Sequence, residues 1–166
     1  NLFRRSFHEY KNIFVDIGTI SNNKIELEKF DYTIYAGSLG KYLRNNINKF
    51  NDGCYLVPDK NLIIKSKNFL LNQKQKLNIG ISWKSFKNRY SDEKSLRLDD
   101  FMKIFETENC NFINLQYGEV KEEIDQFNKK YNLNLIKIND LDLYNDFDYL
   151  AGFIKNLDLF ISVSNS

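Results

Sequence analysis

The sequence predicts an α/β protein built on a parallel sheet, and three observations predict it. From Leu77 onward four apolar, β-rich runs alternate with helix-like segments: LNIGISW, NFINLQY, NLIKI and DLFISVS. Each crossover between them is long enough to carry a helix, which implies parallel strands with right-handed connections. The runs are rich in Ile, Leu, Phe and Val with little alternation, as suits strands buried on both faces.

The elements follow in order. Residues 1–10 carry Leu2, Phe3 and Phe7 at helical spacing, with Arg4 and Arg5 outside, and read as a short helix. Residues 11–20 are β-rich up to Gly18, residues 24–30 read as a helix turn or an edge segment, and residues 30–35 are β-rich again. In AGSLGKYLR, Gly37 permits a tight turn and Ser38 can cap a helix carrying Leu39, Tyr42 and Leu43. Pro58 punctuates the chain, and Asp59 can cap an amphipathic helix over residues 59–75, closed by lysines at residues 74 and 76.

The strand at residues 77–83 leads into a long polar loop, residues 84–97. A helix over residues 98–108 presents Leu98, Phe101, Met102 and Phe105, with Asp99 and Asp100 in its first turn. The strand at 111–117 leads to a helix at 119–131 that starts in Glu119, Glu122 and Glu123 and ends in Lys129 and Lys130, the charge order that a helix dipole favours. The strand at 134–138 precedes an acidic loop at 140–146, a helix at 146–157 and the last strand.

Bulk composition narrows the functions. The chain has 166 residues and a formal net charge of +2, too weak to draw nucleic acid by bulk attraction. Its one His and two separated cysteines, Cys54 and Cys110, do not make a structural zinc site, and no metal is expected. No apolar run approaches the roughly 18 residues of a spanning helix, so no membrane insertion is expected. The chain begins without Met and reads as a piece of a longer protein.

Ligands of open parallel sheets bind outside the carboxyl ends of the strands. The residues there are Ser82, Trp83, Lys84 and Ser85; Gln116, Tyr117 and Gly118; Asn139 and Asp140; and Ser164, Asn165 and Ser166. Neither GxGxxG nor GxxxxGK[ST] occurs, which argues against a nicotinamide or flavin fingerprint and a P-loop. Lys84, Lys87, Arg89, Lys94 and Arg97 make the first loop basic, and such cations can stabilise charge on a leaving phosphate. The bland alternative is a solvated loop. Trp83 is a cap of the core or a pocket wall. Gln116 and Tyr117 hold a base or ribose, or simply close the core edge. Glu119, Glu122 and Glu123 are ordinary helix-start charges, or one of them accepts from ribose hydroxyls. The SNS triplet at 164–166 is a good N-cap sequence for a helix beyond it, whose N-terminus would favour an anion.

The ordered segments LFRRSF, AGSLGKYLR, CYLVPD, NIGISWKS, KSLRL, NLQYGE with the following EEI, and LDLFISVSNS resemble the catalytic region of bacterial tetratricopeptide-repeat glycosyltransferases. Those are similar to O-linked N-acetylglucosamine transferases and, more distantly, to lipopolysaccharide heptosyltransferases. The resemblance implies a cytoplasmic enzyme of GT-B architecture, with two Rossmann-like lobes facing a cleft. Residues 1–57 would end the acceptor-side lobe, 58–76 would form the connector, and 77–166 would begin the nucleotide-sugar-binding lobe. It places Ser82, Trp83, Lys84 and Lys94 on the phosphate side, and Gln116, Tyr117, Gly118 and Glu122 on the nucleoside side. It implies a nucleotide-diphosphate sugar as substrate, a protein or glycan as acceptor, and no cofactor. The last tip departs from the heptosyltransferase pattern, with Ser164, Asn165 and Ser166 where an Asp-Thr-Gly-like tip would stand, so uridine and adenosine diphosphates both remain open as donor nucleotides. The general base falls to the other lobe and is not assigned. Two other classes compete. One is a non-catalytic recognition module of a repeat protein. The other is a response-regulator domain, which needs an acidic cluster that residues 82–86 lack.

Overall fold

A computed structural model describes residues 1–12, 31–50, 53–74, 77–86 and 92–163. The chain divides into two compact units, one of Asn1 and Phe3–Val57, the other of Leu2 and Pro58–Ser166. In the first, helix α1 (Leu2–Ser6) is followed by a 3-10 turn at His8–Tyr10, so the helix expected over residues 1–10 is made in two short pieces. Arg5 Nε donates to the Val57 carbonyl at 2.7 Å, and Val57 N donates to Ser6 Oγ at 2.8 Å, tying the extended segment before Pro58 to this helix.

Helix α2 (Leu39–Leu43) follows a 3-10 turn at Ala36–Ser38. Ser38 makes no side-chain cap, because its backbone is already helical and the 3-10 turn runs straight into α2. The β-rich residues 31–35 form no strand: they have no ladder partner among the described residues, and Tyr32 and Tyr35 stand 92% and 89% exposed. The strand expected at 11–20 and the segment at 24–30 fall, from residue 13 on, outside the described residues.

The second unit is an α/β layer structure. Helix α3 (Lys60–Leu71) starts where expected, with the Asp59 carboxylate accepting from Asn61 N at 2.8 Å. It ends at Leu71, one turn before the expected lysines. Strand β1 (Leu77–Ser82) follows. The helix expected over 98–108 is a 3-10 turn (Leu98–Phe101) running into helix α4 (Met102–Phe105). Strand β2 (Cys110–Asn114), helix α5 (Lys121–Tyr131), helix α6 (Phe147–Asn156) and strand β3 (Leu159–Ser162) complete the unit.

The sheet runs in the order β2-β1-β3, all parallel, with Ile79 opposite Phe112 on one side and Leu159 on the other. The run at 134–138 contributes a single parallel bridge, Ile136 to Ile113, rather than a full strand. Ile136 N donates to the Phe112 carbonyl and Ile136 O accepts from Asn114 N, while Leu135 N, on the other side of the segment, donates to Asn128 Oδ1 of α5 at 3.0 Å. With that bridge, the spatial order begins the Rossmann-like pattern in which the first strand is central.

Two cores flank the sheet. Ile79, Ile81 and Phe112 pack with Phe101, Phe105, Ile124 and Phe127 of the α4–α5 side. Ile113 and Leu115 pack with Leu70, Tyr149 and Phe153 of the α3–α6 side. The α3–α6 contact is close because Gly152 has no Cβ; one placed there would lie 3.2 Å from the Leu62 carbonyl. The exposed backbone groups at that approach are used. Ser66 Oγ, fully buried, donates to the Gly152 carbonyl at 2.9 Å, and Asn156 Nδ2 reaches Ile63 O at 2.9 Å and Ser66 Oγ at 2.8 Å.

Candidate functional site

The carboxyl end of β1 is organised by one side chain from the end of β2. Gln116 is 1% exposed. Its Oε1 accepts from Trp83 N at 2.7 Å, Lys84 N at 2.7 Å and Ser82 Oγ at 3.1 Å. Its Nε2 donates to the carbonyls of Lys84 at 3.0 Å and Tyr117 at 2.9 Å. Two successive backbone N–H groups converging on one oxygen form the concavity that elsewhere takes an anion. Here the protein's own amide oxygen fills it. Gln116 therefore shapes the tip, and its amide has no capacity left for a base or a ribose. The same geometry takes the backbone of Trp83 and the hydroxyl of Ser82 out of direct phosphate contact, and leaves the Lys84 side chain as the charged group that this tip can offer.

Trp83 is fully buried in the α4–α5 core, so it is a core cap rather than a pocket wall. Its Nε1 donates to Glu123 Oε1 at 3.2 Å. Glu123 Oε2 is buried without a donor in hydrogen-bond alignment, yet lies 2.7 Å from Lys84 Nζ; the contact is a charge pair rather than a well-directed hydrogen bond. The two side chains are 34% and 27% exposed, so the pair contributes no more than about 1 kcal/mol. The acidic residue that reaches the tip is thus Glu123, while Glu122 points to solvent. Periodicity could have found this. Glu123 shares the face of the buried Val120 and Phe127, three residues before it and four after, and Glu122 does not.

The loop after β1 folds back on the strand end. Leu96 N donates to the Trp83 carbonyl at 2.8 Å, and Ser85 N donates to Ser95 Oγ at 3.0 Å. This return brings the short 3-10 turn Asp92–Lys94 beside the tip. Lys94 is exposed and makes no ion pair among the described residues. Lys87 and Arg89 lie outside them.

A groove of about 840 Å³ opens at the carboxyl ends of β2 and the 134–138 segment, lined among others by Asn114, Tyr117, Gly118, Lys137, Asn139 and Tyr144. Tyr117 sits between two aromatic rings, 5.5 Å from Phe86 and 5.1 Å edge-on from Tyr144, and its hydroxyl accepts from Phe86 N at 3.2 Å. Gly118 has φ +88°, and a Cβ there would lie 2.6 Å from the Phe86 ring, so both backbone and space require glycine. Phe86, Tyr144 and Lys137 were not legible as site residues, because the first two lie on loops remote in sequence and the third reads as an outward strand residue.

At the third tip the carboxylates serve the fold. Lys65 Nζ lies 2.6 Å from Asp140 and 4.2 Å from the centre of the Tyr149 ring. Its hydrogen bond holds the Asp140 carboxyl below its ordinary value. Asp142 accepts from Asn145 and from Tyr144 N, which lowers its carboxyl likewise. Ser164, Asn165 and Ser166 fall outside the described residues. Among the described residues no group of three or more His, Cys, Asp or Glu could hold a metal ion, and no helix is long and apolar enough to cross a membrane.

No family model matches the chain. No solved structure matches it. Among curated proteins, the chain is similar to Protein FlbA of Caulobacter vibrioides, at 27% identity over 143 residues. The matched stretch is 84% of this chain and 24% of FlbA, so the chain spans about a quarter of the length of the curated relative it matches.

Proposed function

We propose that this chain is the donor-binding part of a glycosyltransferase of GT-B type, which moves a sugar from a nucleotide-diphosphate donor to a protein or glycan acceptor. The observation that carries the reading is the groove walled by Tyr117 and Tyr144 at the carboxyl end of a parallel sheet, next to a first strand tip whose lysine is held in place. The groove takes the nucleoside, with Gly118 letting the backbone approach. Lys84 and Lys94 face the diphosphate. In glycosyl transfer the sugar passes through an oxocarbenium-like state while negative charge grows on the departing diphosphate, and fixed cations stabilise that charge. No metal or cofactor enters this scheme. The ordered resemblance of the strand-tip motifs to tetratricopeptide-repeat glycosyltransferases supports the same reading.

A thermal-shift titration of the full-length protein with uridine and adenosine diphosphates tests it. Stabilisation by one of them is expected, and the absence of any effect from either sinks the donor-lobe reading. One observation favours the rival, a non-catalytic recognition module: Gln116 and Glu123 satisfy the first tip internally. The rival expects Lys84→Ala and Lys94→Ala to leave the activity of the intact protein unchanged.

A further inference from the structure

We propose that Glu123 is the resident counter-ion of Lys84, a positioning residue that holds the ammonium at the strand tip and gives it up when a phosphate binds. This rests on the reading that the first tip meets a phosphate.

The geometry makes the exchange one-sided. The carboxylate is fixed: Oε1 accepts from the indole of a fully buried Trp83, and Oε2 is buried. The lysine main chain is fixed too, because Gln116 engages both Lys84 N and Lys84 O. Only the four-carbon side chain of Lys84, 34% exposed, is left to move. The bond it gives up is weak, since a charge pair with this exposure is worth no more than roughly fivefold in an equilibrium. An incoming phosphate carries at least as much charge as one carboxylate and can form directed hydrogen bonds with an ammonium.

Glu123 therefore acts on affinity in two ways with the same sign. It competes for the ammonium, and its fixed negative charge repels the ligand. Against this, it spares the ligand part of the cost of ordering a free lysine. The stem of Lys84 is already two-thirds covered and its backbone locked, so that saving is small. The charge effects win, and removing the charge tightens binding. A purely structural Glu123 would have the opposite effect.

Titration calorimetry at low salt on the full-length protein tests this with uridine diphosphate, adenosine diphosphate and inorganic pyrophosphate. Glu123→Gln keeps an acceptor for the indole and removes the charge. It is expected to bind roughly three- to tenfold more tightly than wild type. Lys84→Gln is expected to bind more weakly, and the gain from Glu123→Gln to shrink in the double variant, where only the relief of repulsion remains. Equal or weaker binding by Glu123→Gln, or a gain undiminished in the double variant, overturns the proposal and leaves the donor-lobe reading standing. If wild type binds none of the three ligands, both fall. Should Glu123→Gln not fold, wild type still decides. Pyrophosphate must shift the indole N–H resonance of Trp83, and an unmoved resonance under saturating ligand overturns the exchange.

Discussion

Replacing Gln116 by Ala tests how the first strand tip is built. The side chain engages five groups, all within 3.1 Å: three donors on Oε1 and two carbonyls on Nε2. Truncation orphans two backbone N–H groups and two carbonyls beside a residue that is 1% exposed. Each buried group left unpaired costs about 1–3 kcal/mol, and part of that is recovered where water enters the opened space. The Ser82 hydroxyl can rotate, so that group recovers most. The two N–H groups dominate, giving an expected loss of roughly 3–5 kcal/mol, at the upper end for single substitutions. Urea unfolding followed by circular dichroism measures it; with a slope of about 2 kcal/mol per molar, the midpoint falls by roughly 2 M. Gln116→Glu is the informative companion. It keeps the three acceptor contacts but buries a carboxylate against two carbonyls, so it is expected to lose at least as much as Ala. A loss below about 1 kcal/mol for Gln116→Ala would refute the claim that this amide organises the tip.

Three further outcomes follow from the same contacts. Gly118→Ala forces a side chain onto φ +88° and against the Phe86 ring, and is expected to destabilise by about 1–3 kcal/mol in the same unfolding assay. Asp99, Asp140 and Asp142 have carboxyls held below their ordinary value, the first by hydrogen bonds from Tyr131 and Lys130. A depressed carboxyl adds stability above its unfolded value and loses it as pH falls through the folded one, so unfolding midpoints should hold down to roughly pH 4 and drop below it. Lys84→Ala and Lys94→Ala, both on exposed or half-exposed loop positions, are expected to cut nucleotide binding at least about tenfold while changing unfolding stability by less than about 1 kcal/mol.

The α/β class was legible because strand period and crossover length are local properties. The apolar runs at 77–83, 111–117 and 158–164 need only their own composition to be read, and the cap at Asp59 needs only one residue beside a periodic run. The run at 134–138 was read as a full strand from its composition, whereas it pairs with β2 only at Ile136; how far a ladder extends is a tertiary fact. Ser38 was read as a cap because the residue type favours capping, whereas a turn already helical before it leaves no cap to make.

At the site, position along the chain told which residues stand at strand tips but not which way their groups are spent. Trp83 and Gln116 were named correctly as tip residues, yet burial turns one inward and uses every hydrogen bond of the other. Glu122 and Glu123 are chemically alike, and only the helix face separates them. The aromatic wall of the groove joins Phe86, Tyr117 and Tyr144 from three loops, a juxtaposition that no spacing in the sequence encodes.

A crystal structure of the full-length protein with uridine or adenosine diphosphate tests the central claim most directly. The nucleoside is expected in the groove lined by Tyr117 and Tyr144, and a phosphate oxygen within hydrogen-bond reach of Lys84 Nζ, with that ammonium drawn away from Glu123. A nucleotide bound elsewhere, with the Lys84–Glu123 pair intact and the groove empty, would contradict it.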